Sequence, residues 1–445
     1  MLRPLAAAAL ILAAASARAQ EAGSSPPVLT LDQAVALAEA QNRPVKNALL
    51  EVSVGDDQIA EARTYRFPSI NFYGLGSQLL TPVEFTFQRG VFGTFPGIGP
   101  VPGNDTSIRT PLRPTFYGVV QLAQPLSQQY KVGLSIRQAR LAKLVNEQKL
   151  RAQKQLVKNQ VRQAYYAILQ TQSKLASSEE NLKFDRELER TTEELVREKA
   201  ALVAESMSVK ARIGLEEYNN LTLRNALASQ KEQLNVLLGR DVRTEFSVAE
   251  VAEAGDIALS LEAAQAKALG ARPELLGARL RVEQAELNRR TVKAEYIPDV
   301  SLTVTNLSLS GVNLLPSNVA TAGVLVTWDP LDWGRRRREL AAAGKQIAES
   351  KNTAEETEAQ VLVDVAAKYR KLGESRALLH AAQLQLEAER ERLRVTMNQY
   401  AQKAALLKDV LQQRSSLESA ASQQSQALLG YWIARADFEK SLGQE

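Results

Sequence analysis

The sequence predicts a mainly α protein with short β segments, a tandem repeat giving two β-hairpins and long coiled-coil helical hairpins. Three observations predict it. The second half of the chain echoes the first, and missing such an echo miscalls a fold. Two very long stretches, Ser127 to Lys199 and Gly334 to Lys403, contain no proline. Aromatic residues are only 5% of the chain, and Ala, Gln, Leu, Glu and Arg dominate, a mix suited to long helices.

The echo sets the organisation. "LTLDQAVALAEAQNRP" (29–44) matches "LSLEAAQAKALGARP" (259–273) with one gap, and "YRFPSI" (65–70) matches "EYIPDV" (295–300). "GVVQLAQPL" (118–126) matches "GVLVTWDPL" (323–331), "KAAL" at 199–202 recurs at 403–406, and "LG" at 238–239 recurs at 442–443. A first repeat is therefore placed at 20–239, with a helix, a strand pair at about 68–80 and 115–125, and a helical hairpin at 127–239. A linker follows at 240–258. The second repeat, 259–445, carries a helix, strands at about 299–310 and 320–329, and a hairpin at 333–443.

Each repeat opens with a single long helix. Asp32 and Glu262 sit in its first turn, where a carboxylate complements the helix dipole. Pro68 and Pro298 end it, because proline lacks the N–H and disfavours helix in the residue before it. The strands are two-faced. Val300, Leu302 and Val304 alternate with Ser301, Thr303 and Thr305. Ala322, Val324, Val326 and Trp328 share a face, and Phe116, Val120 and Leu122 alternate with Tyr117 and Gln121. Runs of about ten residues suit membrane-spanning strands; a soluble hairpin with one wet face is the other reading. Pro125 and Pro330 mark the strand exits. Arg335, Arg336, Arg337 and Arg338 then open a helix, where the dipole prefers anions. With Trp328 and Trp333 they are candidate lipid-interface residues, phosphates lying alongside; a solvated helix face is the alternative.

The long stretches read as coiled coils. Val365, Leu372, Leu379, Leu386, Leu393 and Tyr400 are spaced by seven, as are Val161, Ile168, Leu175 and Leu182. At 1.5 Å per residue each helix is roughly 100–110 Å long. Four strands per chain cannot close a barrel, and open sheet edges cannot face lipid, so membrane strands here require several chains to share one barrel.

The N-terminus reads as a secretory leader, 1–19. Arg3, an apolar run from Leu5 to Ala15, and Ala17-Arg18-Ala19 place cleavage after Ala19. The chain has no cysteine, so neither a disulfide nor a lipidated cysteine is expected. The formal charge of +5 falls to +3 once Arg3 and Arg18 are set aside. No basic patch with interleaved aromatics points to nucleic acid. Enzyme readings find no support. With one histidine, His380, and no cysteine, a zinc site is not expected. "GLGSQL" (74–79) lacks the third glycine of a dinucleotide loop, and neither G-K-[ST] nor G-x-S-x-G occurs. No cofactor is expected.

The doubled order, the helix–proline–strand junctions, the "QPL" and "DPLDWG" strand exits, and the hairpin turns near Ala201 and Ala405 together resemble the TolC-like outer membrane efflux protein family, the outer membrane factors. The resemblance covers nearly all of the chain after the leader. It implies a homotrimer with a 12-stranded β-barrel in the outer membrane and an α-helical barrel extending into the periplasm. It implies a periplasmic adaptor (membrane fusion protein) and an inner-membrane pump as partners, besides outer membrane lipid. The implied function is the passive exit duct of a tripartite efflux or type I secretion system, for small molecules such as drugs. A protein-secretion duct is the alternative, and a secreted coiled-coil scaffold or adhesin without a pore is the reading outside the family. The family closes its channel near the second hairpin turn with acidic side chains. Asp409 matches the first acid of a "D-V-L-D" pattern, Gln412 replaces the second, and Glu205 is the first-repeat counterpart. Where the family often has glycine in these turns, this chain has Lys199 and Lys403. Finally, Pro68 to Pro125 spans 57 residues and Pro298 to Pro330 only 32, the 25 extra falling in 81–114. That insert reads as a structureless extracellular loop, with Phe85, Phe87, Phe92 and Phe95 to plug the mouth or contact lipid.

Overall fold

The structure, a computed structural model, describes residues 27–109, 112–199, 202–250, 259–311, 316–402 and 404–443. The leader, Ala201, Lys403 and residues 251–258 of the linker lie outside the described residues. The element order is β1 (Val28–Leu29), α1 (Leu31–Gln41), α2 (Arg43–Thr64), β2 (Ser69–Gln78), β3 (Glu84–Phe87), β4 (Thr94–Phe95), β5 (Gly99–Pro100), β6 (Thr106–Arg109), β7 (Pro114–Pro125), α3 (Gln128–Arg197) and α4 (Val203–Leu237). It continues with β8 (Ser247–Val248), α5 (Leu261–Ala271), α6 (Pro273–Ala294), β9 (Asp299–Ser310), β10 (Asn318–Thr327), α7 (Arg335–Ala401) and α8 (Leu407–Ser441).

Two compact units are resolved, and they are not the two repeats. One comprises the chain up to Ser53 with Leu144–Arg281 and Ser350–Glu445; the other comprises Val54–Lys143 and Val282–Glu349. Each draws on both halves of the sequence. In the second unit the halves are joined by strand pairing: β7 of the first half bonds antiparallel to β9 of the second, giving one four-stranded sheet in the order β10-β9-β7-β2.

The opening helix of each half is not single. It breaks at Asn42 (ψ 128°) and at Arg272 (ψ 119°). Each break lies just before a proline, Pro44 and Pro273, where a continued helix would lose a hydrogen bond and clash. The breaks are used. Asn42 Nδ2 donates to the Leu237 carbonyl (2.8 Å) at the end of α4, and Arg272 Nη1 donates to the Ser441 carbonyl (3.3 Å) at the end of α8. Both recipient helices end in a left-handed glycine, Gly239 (φ 71°) and Gly443 (φ 72°).

The core of the first unit lies where α1, α3, α4 and α8 meet. Ala34, Ala38, Val161, Tyr165, Ile168, Leu234 and Phe246 are fully enclosed there. Alanines on α1 allow the helices to approach closely. The Tyr165 hydroxyl lies 2.8 Å from the Leu29 and Ala249 carbonyls, which clamps the parallel β1–β8 pair. A second cluster packs Ala264, Ala268, Val361, Val365, Phe438 and Leu442.

The insert between β2 and β7 is folded rather than structureless. β3 pairs with β6, and the shorter β4–β5 pair is nested inside. Gly90, Gly93, Gly97 and Gly99 all take positive φ, between 79° and 104°, which lets so short a segment turn repeatedly. Phe87 stacks at a tilt on Phe92 (5.3 Å), while Phe85, Phe92 and Phe95 remain exposed.

Candidate functional site

Near its helix-bearing end the sheet of the second unit has one mainly apolar and one mainly polar face. Cross-strand partners share a face, so the register assigns every side chain. Val324 pairs with Leu302, Leu302 with Gln124, Val304 with Leu122, and Leu122 with Ile70. Ile70, Phe72, Val120, Leu122, Val300, Leu302, Val304, Val324 and Val326 therefore form one surface near the helix-bearing end. Most of it is open: Ile70 is 72% exposed, Phe72 68% and Val324 63%. The opposite surface there carries Ser69, Asn71, Gln121, Thr303, Thr305 and Thr321. β2 and β10 have a strand on one side only among the described residues. No described helix is long and apolar enough to cross a membrane.

The strand junctions follow from local chemistry. Pro68 and Pro298 sit just before β2 and β9, Pro125 closes β7, and Pro330 lies in the turn after β10. At the first exit the Ser127 hydroxyl donates to the Pro298 carbonyl (2.7 Å) and accepts from the Val300 N–H (2.8 Å). Lys131 pairs with Asp299 at 2.6 Å. At the second exit Asp332 organises the turn. Its Oδ1 accepts from the Gly334 N–H (3.1 Å) and its Oδ2 from the Arg336 N–H (3.0 Å). The Arg336 bond above all, with that from Gly334, holds the Asp332 carboxyl below its usual range.

The four arginines are not equivalent, which corrects the reading of them as one lipid-facing run. Arg336 is buried: its Nη1 donates to the Asp329 carbonyl (2.6 Å) and its guanidinium faces the Tyr296 ring (5.9 Å). Arg335 is engaged by Glu339 (2.8 Å) and Glu295 (4.0 Å). Arg337 and Arg338 point to solvent.

The hairpin turns use a shared device. Leu202 and Leu406 are N-caps with no side-chain acceptor, and the acid three residues on makes only the returning bond of a capping box, accepting from the N-cap N–H. Glu205 Oε2 accepts from the Leu202 N–H (3.4 Å) and Asp409 Oδ2 from the Leu406 N–H (3.0 Å). Both acids thus have a structural task beside any other. Gln412 is exposed on the same helix as Asp409. Lys199 takes φ 57°, the left-handed conformation that glycine would adopt without strain.

Beyond these residues lies a buried polar line that sequence reasoning missed. Thr171, Ser178, Asp185 and Thr192 on α3 are all buried and seven apart. Thr171, Ser178 and Asp185 each sit three residues after a member of the apolar series Ile168, Leu175 and Leu182, and Thr192 keeps the spacing although position 189 is Glu189, so they are the other half of the same seam. Asp185 is paired by Arg212 of α4 (2.9 Å), which also reaches Glu418 of α8 (2.6 Å). Burial pulls the Arg212 guanidinium down, but the Asp185 bond and the nearby acids leave it raised. Burial pushes the Glu418 carboxyl up against the pull of Arg212 and Arg414. Glu389 of α7 is likewise buried, with Arg392 at 2.7 Å. His380 is exposed.

Asp437 of α8 is a second hub, accepting from Lys368 (2.8 Å), Asn159 (2.9 Å) and Gln163 (3.1 Å). Burial raises its carboxyl, and the Lys368 and Asn159 bonds more than reverse this, leaving it below its usual range. A lowered carboxyl stabilises the fold above its unfolded value and ceases to do so as pH falls through the folded value. The expected result is that Asp437→Asn lowers the melting temperature at neutral pH, with the gap to wild type closing as pH falls below the ordinary carboxylate range. A gap independent of pH would contradict it.

Comparison with known proteins fits this geometry. Residues 265–444 match the family described as outer membrane efflux protein. No curated protein matches the sequence. Among solved structures, the outer membrane protein VceC of Vibrio cholerae superposes with TM-score 0.72 at 15% identity, covering 93% of this chain and 96% of that one. The CmeC outer membrane channel of Campylobacter jejuni gives 0.75 at 16%, covering 93% and 85%. The open state of the MtrE outer membrane channel of Neisseria gonorrhoeae gives 0.70 at 18%, covering 93% and 89%. Residues 265–444 thus match the outer membrane efflux protein family, and the chain as a whole has the fold of these outer membrane channels.

Proposed function

We propose that this chain is the outer-membrane exit duct of a tripartite efflux or type I secretion system, a passive conduit for small molecules such as drugs. One observation carries the reading: a four-stranded sheet whose helix-bearing half has an exposed, mainly apolar face and a mainly polar one, with an edge strand on either side that is unpaired among the described residues. In water such a surface promotes aggregation. In a bilayer the apolar face meets lipid, the polar face lines a lumen, and the free edges must pair. Pairing β10 of one copy with β2 of the next uses both edges, and three copies give a closed ring of twelve strands. The efflux description of the matched family and the channel folds support this reading over a scaffold without a pore. A periplasmic adaptor and an inner-membrane pump complete the system, and the passage itself needs neither catalysis nor cofactor. The expected product is a heat-modifiable trimer in the outer-membrane fraction that conducts ions in planar bilayers. A soluble, non-conducting product would sink the proposal.

Asp409 is assigned to the closed periplasmic tip, with Gln412 on its helix and Glu205 at the counterpart turn. Three copies of a carboxylate around a narrow, poorly hydrated pore repel one another and attract cations. Because Asp409 also caps α8, alanine alone confounds the two roles. Asparagine keeps an acceptor for the Leu406 N–H and removes the charge. Asp409→Asn is expected to weaken cation block severalfold with the melting temperature nearly unchanged, and Asp409→Ala to add leakage of bulky antibiotics. Unaltered block in both variants would restrict Asp409 to capping.

A further inference from the structure

The turn joining β10 to α7 has a counterpart within the same chain. Pro125, Leu126 and Ser127 precede α3 as Pro330, Leu331 and Asp332 precede α7. The two then part. Gln128, Val132 and Gly133 stand where the second turn has Trp333, Arg337 and Arg338. Both turns launch helices of similar length, 70 and 67 residues. Neither a tryptophan nor free arginines are therefore needed to build the junction.

Trp333 is held in the left-handed region at φ 54°, a conformation that strains any residue with a side chain. Packing does not compensate, because the side chain is 91% exposed. The Asp332 and Arg336 bonds fix the turn and present the indole outward. Leu331 is exposed beside it, and Trp328 continues the even-numbered series Val324 and Val326 of the apolar sheet face. Arg337 and Arg338 follow within one helical turn, and neither guanidinium has a hydrogen bond or ion pair among the described residues. Strain without internal compensation, in an apolar tip bordered by unpaired cations, calls for an external partner. The tip adjoins the surface assigned to lipid, and its charge complements a phosphate layer.

We infer that this turn is a docking site for anionic phospholipid: Trp328, Leu331 and Trp333 enter the glycerol–acyl boundary, and Arg337 and Arg338 bind the headgroup phosphates. The inference rests on the channel reading and gives it a lipid preference. Each arginine near an anionic surface contributes roughly fivefold in affinity, so the pair gives on the order of twentyfold.

The test reconstitutes the full chain in phosphatidylcholine vesicles containing either brominated phosphatidylglycerol or brominated phosphatidylcholine, and measures quenching of tryptophan emission. Wild type is expected to prefer the anionic quencher, and R337Q/R338Q to lose that preference while still inserting. W333G is expected to lose much of the quenching and yet melt at a higher temperature in detergent, since glycine relieves the backbone. Equal quenching by both lipids in wild type, an unchanged preference in R337Q/R338Q, or a lower melting temperature for W333G would each overturn the site. Insertion with conductance but no lipid preference removes the site alone; wild type that enters neither vesicle removes the channel reading with it.

Discussion

Val324→Lys is expected to abolish assembly in the outer membrane, while Thr321→Lys on the same strand leaves it largely intact. Val324 lies on the open apolar face, and Thr321 lies on the polar face, paired with Thr305. A lysine facing lipid near the bilayer midplane costs about 2–4 kcal/mol, and a lumen-facing lysine costs little. In a trimer the cost recurs three times, about 6–12 kcal/mol per assembled barrel, comparable with the net stability of a whole domain. The measurement is the fraction of heat-modifiable oligomer in purified outer membranes, with planar-bilayer conductance as the second readout. Equal loss in both variants would mean that the two faces do not meet different media. Equal tolerance would remove the bilayer from the account.

Gly239→Ala is expected to be the most damaging single-methyl change in the first unit, and Gly443→Ala to be similar. A Cβ at Gly239 would lie 2.3 Å from the Gln41 carbonyl oxygen, and one at Gly443 would lie 2.8 Å from the Ala271 carbonyl carbon. Both collisions are with backbone, at the breaks between α1 and α2 and between α5 and α6, so no side-chain rotation relieves them. Left-handed φ adds about 1–2 kcal/mol for a non-glycine residue at either site. The overlap should bring the total above the 4–5 kcal/mol that marks exceptional substitutions. The expected signature is a large fall in melting temperature or failure to recover folded protein. Gly214→Ala, where a methyl meets nothing within 4 Å, is the control and should be neutral or slightly stabilising. Parity of Gly239→Ala with that control would show that the helix ends do not meet the breaks as described.

Much of this was legible because it rests on short-range rules. Alternation along β9 and β10 gave the faces of Val300, Leu302, Val304, Val324 and Val326, since period two admits no other assignment. Seven-residue spacing gave Val161, Ile168, Val365 and Leu386 as inward residues of α3 and α7. What escaped needed partners distant in sequence. Asp185 reads as a solvated charge until Arg212 and Glu418 are placed beside it. Arg336 reads as one of four equal arginines until its carbonyl acceptor at Asp329 is seen. The joining of two strand pairs into one sheet through β7 and β9 is likewise invisible to local pattern, because either pair is complete as a hairpin. The folded insert was missed for another reason: its strands are four residues or fewer and its glycines mask alternation.

The polar half of the α3 seam has a mechanical consequence. Two long helices joined along a wholly oily seam can slip by one heptad at modest expense, since each apolar knob finds another hole. Here a slip of α3 against α4 would bring Ser178 or Thr192 to Arg212 and carry Asp185 away from its counter-charge. Stranding such a charge costs about 3–5 kcal/mol. One ion pair thereby indexes the whole helix pair, as a tooth fixes the position of a rack.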